Sequence, residues 1–424
     1  MNYARFINRV SSKRQPSIIR EMTQIMSVAG PDMIPLSGGL PNPAMFPIES
    51  MTLSVNDKTK IEICGDQMKA ALQYLPTNGH PELVKRLTEL QNTIHKPPKE
   101  TFGNSGLITT VGSQDGLSKA MEMMMTEGGS VVIQDYVYPG SLAALTPYHP
   151  NYVVIESDGA GMKPDKLHEA LKDRWTIAEA MTSETAPRFM YINPTGANPT
   201  GANLSLERKK QIYQICSEYD LIILEDDPYY FLHYEGGNLP SFYSLDTDGR
   251  VLRFDSFSKI LSSGLRLGFM TGPKPLTERV ALHMQASVMH ASSLSQVITN
   301  ELLKQWGNDG LFAHIKNIQD FYEKRRDCMI TSAEKHLTGL CEWSIPQGGM
   351  FLWIKVNNVP NTWDMIMERA MEKNVMLIPG RAFMPVDTGS CSYMRASFSI
   401  ASQEKIDLGL KRLADLIKEE ITKK

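Results

Sequence analysis

Short apolar runs alternate with helix-like segments through the middle of the chain. Short segments rich in apolar and β-branched residues predict β-strands at residues 107–111, 131–134, 152–155, 189–193 and 221–224. The segments between them are predicted helices, and one of these, at 205–219, opens with Ser205, a residue type that caps helices. Strands that alternate with helices form mostly parallel sheets covered on both faces. The pattern predicts an α/β fold in which ligands bind beyond the carboxyl ends of the strands.

The pattern changes in the last third of the chain. Residues 276–337 are almost entirely helix-like, with breaks near Gly307 and Gly310. Further elements are predicted as a helix at 362–373, a final helix at 403–421 and strands at 350–356, 375–378 and 393–398. In the final helix, Ile406, Leu410, Leu413 and Ile417 share one face, which is expected to pack on a core. These elements indicate a second, smaller α+β domain.

Composition narrows the class of protein. The chain has 424 residues and a formal net charge of −3, with acidic and basic residues interspersed. Nucleic-acid-binding proteins concentrate positive charge, so the composition argues against nucleic acid as the main partner. No apolar run approaches the ~18 residues that span a bilayer. The five cysteines are scattered without a C-x-x-C pair, which argues against a disulfide framework or a zinc site and favours a reducing compartment.

The N-terminus is basic and contains serine. Five basic residues precede the first acidic residue, Glu21; they are Arg5, Arg9, Lys13, Arg14 and Arg20. A basic, acid-free start is typical of a mitochondrial presequence. The alternative is an ordinary basic arm that packs on a partner subunit, and the sequence leaves both interpretations open.

One loop carries the strongest chemical signal. Lys259 follows Ser256 and Ser258, and Arg266 comes seven residues later. Small hydroxyl residues and an arginine suit a phosphate dianion. A lysine beside a bound phosphate can form a Schiff base with an aldehyde cofactor. A solvated surface lysine is the simpler alternative for this residue taken alone.

Other polar residues follow predicted strands. The segment E-D-D-P-Y-Y, residues 225–230, comes directly after an apolar strand, and one of its acids could keep a heterocyclic nitrogen protonated. Ser113 begins a predicted helix, where it is either an N-cap or part of a phosphate site. Asn198, in the turn sequence N-P-T-G, is by default a turn former. Arg395 lies in a predicted strand, where a buried arginine needs an anion such as a substrate carboxylate.

These motifs together resemble those of the fold-type I pyridoxal-phosphate aminotransferases of the aspartate aminotransferase superfamily. The markers are N-P-T-G at 198–201, E-D-D-P-Y-Y, S-F-S-K at 256–259, G-L-R-L-G at 264–268 and R-A-S-F-S at 395–399. Their order and spacing also agree, with 28 residues from Asn198 to Asp226 and 33 from Asp226 to Lys259. The resemblance implies a large domain with a mostly parallel seven-stranded sheet and a smaller α+β domain. The predicted bounds are 1–45 for the arm and the start of the small domain, 46–305 for the large domain and 306–424 for the small domain.

The resemblance also implies roles toward the cofactor pyridoxal 5'-phosphate. Lys259 would form the Schiff base and shuttle the proton, and Asp226 would pair with the pyridinium nitrogen. Asn198 and Tyr229 would hydrogen-bond the phenolic oxygen, and Tyr138 would stack on the ring. The phosphate would be held by Ser113, Gln114, Ser256, Ser258 and Arg266. Tyr74 would reach the phosphate of the other subunit, which implies a homodimer with shared active sites.

Substrate recognition is expected from fewer residues. Arg395 would bind the α-carboxylate, Gly39 and Arg20 would line the side-chain pocket, and Tyr74, Tyr138 and Asn198 would also contact the substrate. The segments M-N-Y-A-R-F, G-G-L-P-N-P and G-M-F-L-W-I-K-V resemble, more narrowly, those of the kynurenine/α-aminoadipate aminotransferases. That resemblance implies amino transfer from L-2-aminoadipate or L-kynurenine to 2-oxoglutarate by a ping-pong mechanism, in the mitochondrial matrix or, alternatively, the cytoplasm.

The sequence leaves two other functions of the same cofactor open. One is a broad aromatic or branched-chain aminotransferase, or a carbon–sulfur lyase. The other is a non-enzymatic pyridoxal-phosphate-binding regulator, which the short N-terminal arm of about thirty residues disfavours, because fused regulators carry a larger DNA-binding domain there. The sequence also repeats N-P-T-G at 193–196, directly before the copy at 198–201. The second copy has the family spacing, so Asn198 is the predicted cofactor ligand and Asn193 has no predicted role.

Overall fold

The structure is a computed structural model that describes residues 1–423 except 20, 23–24, 26–28, 31, 35, 37–38, 57–58 and 235–239. The chain divides into two compact units, both discontinuous in sequence. The first unit comprises Met1–Thr126, Ile222–Pro228 and Pro240–His314. The second comprises Glu127–Leu221, Tyr229–Leu239 and Ile315–Lys424. The domain bounds expected from sequence stay a prediction.

The first unit contains four strands of the α/β sheet, in the order Ser105–Thr110, Gly268–Pro273, Val251–Ser256, Ile222–Asp226. The strand Val251–Ser256 is parallel to Ile222–Asp226, whereas Gly268–Pro273 is antiparallel to both of its neighbours. Its longer helices are Gly65–Leu72, Pro81–His95, Ser113–Met124 and Lys274–Ser287. Strand residues 251–255 are all buried, as expected for a sheet covered on both faces.

The second unit contains three further strands of this α/β sheet, in the order Phe189–Ile192, Ser130–Gln134, Asn151–Ile155. All three are parallel. The helices of this part of the unit are Pro139–Leu145, Pro164–Lys172, Ile177–Thr182 and Leu206–Glu218. Ser205 caps the last of these by accepting a hydrogen bond from the Arg208 amide, as predicted. The α/β prediction of seven mostly parallel strands is confirmed, with Gly268–Pro273 as the antiparallel member.

A smaller antiparallel sheet lies in the same unit, in the order Cys341–Trp343, Phe351–Val356, Tyr393–Ser397, Ile378–Pro379. The final helix, Gln403–Thr422, buries the four apolar residues predicted to face the core. They pack in a cluster with residues of the small sheet, among them Leu352, Ile354 and Met394. This packing fixes the strand that carries Arg395.

Several local predictions were wrong. A helical break occurs at Gly307, whose φ is 61°, but Gly310 continues the helix Ser293–Leu337. The predicted helix at 362–373 contains a π-helical turn at Met365–Arg369, and the predicted strand at 375–378 is replaced by Ile378–Pro379. The hairpin of Ser50–Ser54 and Lys60–Cys64 was not predicted, although the strand Lys60–Cys64 alternates exposed and buried residues as a half-buried strand does.

The start of the basic arm packs on its own chain. Phe6 is fully buried, and the Asn8 side chain donates to the carbonyl oxygens of Glu122 and Met125 at 2.5 and 2.6 Å. Arg14 forms an ion pair with Glu122 at 2.8 Å. The arm is therefore anchored at the end of the helix Ser113–Met124 in the first unit. Within the described residues, no helix is long and apolar enough to span a membrane.

Candidate active site

In the first unit, the loop that carries Lys259 is closed at its base. The strand Val251–Ser256 enters it and Gly268–Pro273 leaves it, and the Phe257 amide donates to the Leu267 carbonyl at 3.1 Å. The Ser258 amide donates to Ser256 Oγ at 3.2 Å, which folds the two serines toward each other. Lys259 itself is half-buried within this loop. The loop thus holds a lysine between a sheet edge and a tight turn.

Arg266 lies beside these serines and beside the start of a helix. Its Nη1 is 3.3 Å from Ser258 Oγ, and its Nη2 is 3.5 Å from the Val111 carbonyl oxygen. Gly112 has φ 74°, and a Cβ there would be 2.5 Å from Nη2, so only glycine lets the guanidinium lie this close. Arg266 is exposed, and the hydrogen bonds described for it go to the Ser258 hydroxyl and to two backbone carbonyl oxygens rather than to a carboxylate. The Arg266 guanidinium can therefore bind an anion.

The helix Ser113–Met124 begins at this point. Gly112 occupies the N-cap position without a side-chain cap, so Ser113 is the first helical residue rather than the cap that the sequence suggested as its default role. Gln114 follows as the second residue, and both are half-buried. A helix start has unpaired amides and a positive dipole end, which attract anions. With Arg266, this end of the helix has the chemistry that a phosphate group requires.

Asp226 ends the strand Ile222–Asp226 and is 5 % exposed. In the parallel register it lies opposite Phe254, whereas Glu225 lies opposite Arg253. Because side chains alternate along a strand, Asp226 points to the other face of the sheet from Glu225 and Asp227. The three consecutive acids are therefore not equivalent, and Asp226 faces the side of the sheet on which Phe254 packs over Gly116.

The other two acids belong to a buried ionic cluster that the sequence analysis did not identify. Arg253 is fully buried and lies 3.2, 3.0 and 2.9 Å from carboxylate oxygens of Glu225, Asp227 and Asp255. The Glu225 carboxylate also accepts hydrogen bonds from the backbone amides of residues 242 and 243, at 2.7 and 3.1 Å. Burial raises the pKa of Asp255 to about 6. The only sequence signal was a charged residue between apolar neighbours in the strand at 251–254.

In the second unit, Arg395 is held by a polar and an aromatic contact. Its Nη1 donates to Asn198 Oδ1 at 2.7 Å. Its guanidinium lies 4.2 Å from the centroid of the Phe351 ring and 5.1 Å from that of Phe383, close enough for cation–π attraction. The Arg395 Nε is buried and has no hydrogen-bond partner among the described residues. Burial lowers the pKa of the guanidinium, which nevertheless stays charged at neutral pH.

The loop that carries Asn198 packs directly on the turn before the strand Phe351–Val356. Gly196 and Gly349 have φ of 52° and 72°, and a Cβ on Gly196 would overlap the backbone of Gly349. A Cβ on Gly349 would in turn lie 2.5 Å from the Gly196 carbonyl oxygen. The two glycines therefore let two backbones touch, which fixes Asn198 relative to Phe351.

Two tyrosines predicted at the site are also in the second unit. Tyr229 is 5 % exposed, and its ring meets the Phe351 ring edge-on at 5.8 Å. Tyr138 is half-buried and precedes the helix Pro139–Leu145. The partial negative charges of both phenols act on Arg395 and offset part of the effect of its burial on the pKa. The structure thus brings Asn198, Tyr229, Tyr138 and Arg395 together; Phe351 and Phe383 join them and were not predicted.

The remaining predicted residues are less constrained. Tyr74 is 45 % exposed and packs edge-on against His290 at 6.0 Å in the first unit. Gly39 is exposed, and a Cβ on it would meet nothing within 4 Å. Arg20 lies outside the described residues.

Comparison with known proteins gives the class of the chain. Residues 45–413 match the family described as Aminotransferase class I and II, and the chain belongs to that family. It is 44 % identical over 426 residues to the mitochondrial kynurenine/alpha-aminoadipate aminotransferase of Bos taurus, covering 99 % of this chain and all of the relative. The recognition made from sequence motifs is confirmed at this level.

Solved structures show the same similarity. The kynurenine aminotransferase of Pyrococcus horikoshii, solved in complex with PMP, is 31 % identical with a TM-score of 0.77, covering 99 % of this chain and 98 % of that one. The aminotransferase Aro8 of Candida albicans is 27 % identical with a TM-score of 0.88, covering 100 % and 99 %. The fold is that of the fold-type I aminotransferases, and the protein is a pyridoxal-phosphate-dependent aminotransferase.

The residues present fit that cofactor. An exposed arginine without an acidic partner among the described residues lies beside a helix start and two serines, as a phosphate monoester requires. When bound, pyridoxal phosphate supplies an electron sink for the carbanion that forms at the substrate Cα. In the part of the chain that the structure describes, no cluster of His, Cys, Asp or Glu could hold a metal ion.

Proposed function

We propose that the protein transfers the amino group of L-2-aminoadipate, L-kynurenine or both to 2-oxoglutarate by a ping-pong mechanism. The full-length identity of 44 % to a relative named for kynurenine and α-aminoadipate supports this substrate class. Each substrate carries an α-carboxylate, for which the half-buried Arg395, whose Nε has no partner among the described residues, is suitable. That arginine is the observation that carries the proposal.

The cofactor roles inferred from the family resemblance remain part of the proposal. Lys259 would bind the cofactor and move the proton at the substrate Cα, and Asp226 would hold the pyridine nitrogen protonated. The phosphate would be held by Ser113, Gln114, Ser256, Ser258 and Arg266. Asn198 and Tyr229 would bind the phenolic oxygen, and Tyr138 would stack on the ring.

The Arg253 cluster supports the role of Asp226. Glu225 and Asp227 pair with Arg253 on one face of the sheet, and Asp226 is the acid of the three that points to the opposite face. A carboxylate on that face can serve a cationic ring nitrogen. This assignment rests on strand alternation rather than on sequence spacing alone.

Two further parts of the proposal concern assembly and location. We propose a homodimer in which Tyr74 reaches the partner's phosphate site, and the exposure of Tyr74 is compatible with that contact. We propose the mitochondrial matrix as the location, because the bovine relative is named as mitochondrial. Sedimentation of the purified protein tests the first, and fractionation of cells that express the full chain tests the second.

A donor screen tests the substrate proposal. The purified holoenzyme is assayed with 2-oxoglutarate against about twenty amino acids plus L-2-aminoadipate and L-kynurenine. We expect the highest kcat/KM for one of the last two. A flat profile over aromatic or branched donors would indicate the broad-specificity alternative, and release of pyruvate from a cysteine conjugate without any 2-oxo acid would indicate the lyase.

Arg20 and Gly39 are proposed to line the side-chain pocket. Arg20→Ala should change the ratio of kcat/KM between aminoadipate and kynurenine, because the distal carboxylate and the aromatic ring make different contacts with a guanidinium. An equal loss of kcat/KM for both donors would contradict the proposal that Arg20 lines the side-chain pocket. Gly39→Ala is the companion variant, and it should change the same ratio without altering α-carboxylate binding.

A further inference from the structure

The first N-P-T-G segment has no part in the function proposed above, although it begins at a buried residue. Asn193 directly follows the strand Phe189–Ile192 and is 6 % exposed. Its Oδ1 accepts a hydrogen bond from the backbone amide of Asn198 at 2.7 Å, and both groups are buried. A side chain fixed to the end of a strand thus holds the backbone of the residue that begins the second segment.

Asn198 passes this restraint on to Arg395. The backbone amide of Asn198 donates to Asn193, and the side-chain Oδ1 of Asn198 accepts a hydrogen bond from Arg395 Nη1 at 2.7 Å. The loop between the two asparagines is also held by the Leu204 amide, which donates to the Pro194 carbonyl at 2.9 Å, and by the Ala197 amide, which donates to the Ala202 carbonyl at 3.0 Å. These bonds shape the loop, whereas the bond from Asn193 fixes Asn198 itself.

We propose that Asn193 is a positioning residue for the carboxylate-binding guanidinium of Arg395, acting through Asn198. The inference rests on the role proposed above for Arg395. If the Asn198 side chain shifts, the Arg395 guanidinium that donates to it shifts as well. A displacement of about 1 Å at the guanidinium weakens its affinity for the carboxylate. The repeated motif is then explained, because an asparagine at the end of the strand supplies the acceptor that orients the next asparagine.

Three variants separate positioning from general stability. Asn193→Leu keeps the branching and the number of side-chain heavy atoms and removes the acceptor, and Asn193→Asp keeps an acceptor oxygen. The control is Thr195→Val in the same loop, because Thr195 is fully buried and its Oγ1 has no partner among the described residues. KM and kcat are measured for the preferred amino donor and for 2-oxoglutarate, together with the thermal unfolding midpoint.

We expect Asn193→Leu to raise KM for donor and acceptor by about three- to tenfold, the usual worth of one hydrogen bond, with kcat within about twofold. Asn193→Asp should restore KM to within about threefold of the wild type. Thr195→Val should leave KM unchanged. Hydrogen exchange, which does not depend on activity, should become faster for the peptide 193–201 in Asn193→Leu but not in Asn193→Asp.

An unchanged KM in Asn193→Leu overturns the inference. Equal KM values for Asn193→Leu and Asn193→Asp also overturn it, because the acceptor would then be irrelevant. Arg395→Ala, assayed in parallel, separates the two proposals. If it raises KM while Asn193→Leu does not, the inference about Asn193 fails alone; if it leaves KM unchanged, the proposed role of Arg395 fails first.

Discussion

Asn198 Oδ1 and Arg395 Nη1 lie 2.7 Å apart, whereas the Nε of the same guanidinium is buried without a partner among the described residues. One edge of the group is therefore fixed by the protein, and another edge is left for a ligand. A planar guanidinium held in this way is preorganised for a carboxylate that bonds through both oxygens. The rings of Phe351 and Phe383 lower the local polarity and so strengthen such a bond.

The first prediction concerns this arginine. Arg395→Ala should lower kcat/KM for every amino donor by about ten- to a hundredfold, since it removes a charge-assisted contact worth about 1.5–3 kcal/mol. The loss should be alike for aminoadipate and kynurenine, because both present the same α-carboxylate. Steady-state kinetics with both donors checks this, and a loss confined to one donor would contradict the role.

The second prediction concerns backbone packing between two glycines. Gly196→Ala should lower the free energy of unfolding by more than about 1 kcal/mol, because φ is positive and the Cβ would overlap the backbone of Gly349. The matched control is Gly409→Ala in the helix Gln403–Thr422, where the nearest atom to a Cβ is 3.8 Å away. Gly409→Ala should raise that free energy by about 0.4–1 kcal/mol. Urea unfolding measures both.

An effect of the same sign in both glycine variants would contradict the packing described for the loop. If Gly196→Ala were as stable as the wild type, the contact between the loop of Asn198 and the turn at Gly349 would not form as described. Activity is not the readout here, so the result does not depend on the substrate.

The third prediction follows from the pKa of Asp255, raised by burial to about 6 from its ordinary value of 3.8. Because the folded protein binds this proton more tightly than the unfolded chain, Asp255 favours folding at low pH, and that contribution is lost as pH rises through about 4 to 6. The side chain in Asp255→Asn stays neutral at every pH. The unfolding free energy of this variant relative to the wild type should therefore be higher at pH 7.5 than at pH 4.5 by at least about 1 kcal/mol.

Denaturant unfolding at the two pH values checks the sign of this difference. The amide introduced by Asp255→Asn keeps an oxygen that can accept from Arg253, so the comparison isolates the charge rather than the hydrogen bond. A difference that is the same at pH 4.5 and pH 7.5 would show that Asp255 does not titrate in this range.

The fourth prediction concerns the N-terminal arm. Phe6→Ala should destabilise the protein by about 3–5 kcal/mol, because the ring is fully buried and its removal leaves a cavity. Val10→Ala, at a side chain 64 % exposed, should change stability by no more than about 0.5 kcal/mol. Thermal unfolding compares the two variants, and equal unfolding midpoints would contradict the packing of the arm on its own chain.

The sequence predicted the elements that have strong periodicity and the residues that belong to recognisable motifs. The final helix, with Ile406, Leu410 and Leu413 on one face, follows directly from such a pattern. So do five strands of the α/β sheet, those predicted at 107–111, 131–134, 152–155, 189–193 and 221–224. Lys259 was predicted as a site residue because it lies among small hydroxyl residues near Arg266, and Arg395 because an arginine is unexpected in a strand. Their roles stay predictions. The hydrophobic pattern also separated the small sheet from the α/β sheet.

Other features depend on contacts between distant segments and could not be predicted. The cluster around Arg253 needs the register of two parallel strands, which the sequence does not specify. Phe351 and Phe383 appear in the sequence as ordinary core residues, and only the fold brings them to Arg395. The bond between Asn193 and Asn198 depends on the path of a four-residue loop. Ser113 was expected by default to be a cap, but the cap position falls one residue earlier, at Gly112 with its positive φ.

The most direct test compares the wild type with Lys259→Ala for the visible absorption of the bound cofactor and for amino transfer to 2-oxoglutarate. We predict that the wild type binds pyridoxal phosphate with a visible band and converts aminoadipate or kynurenine to the oxo acid. Lys259→Ala should lose that band and all turnover, because no other group would hold the aldehyde and move the Cα proton. A variant that keeps both the band and the turnover would contradict the assignment of Lys259 as the catalytic residue.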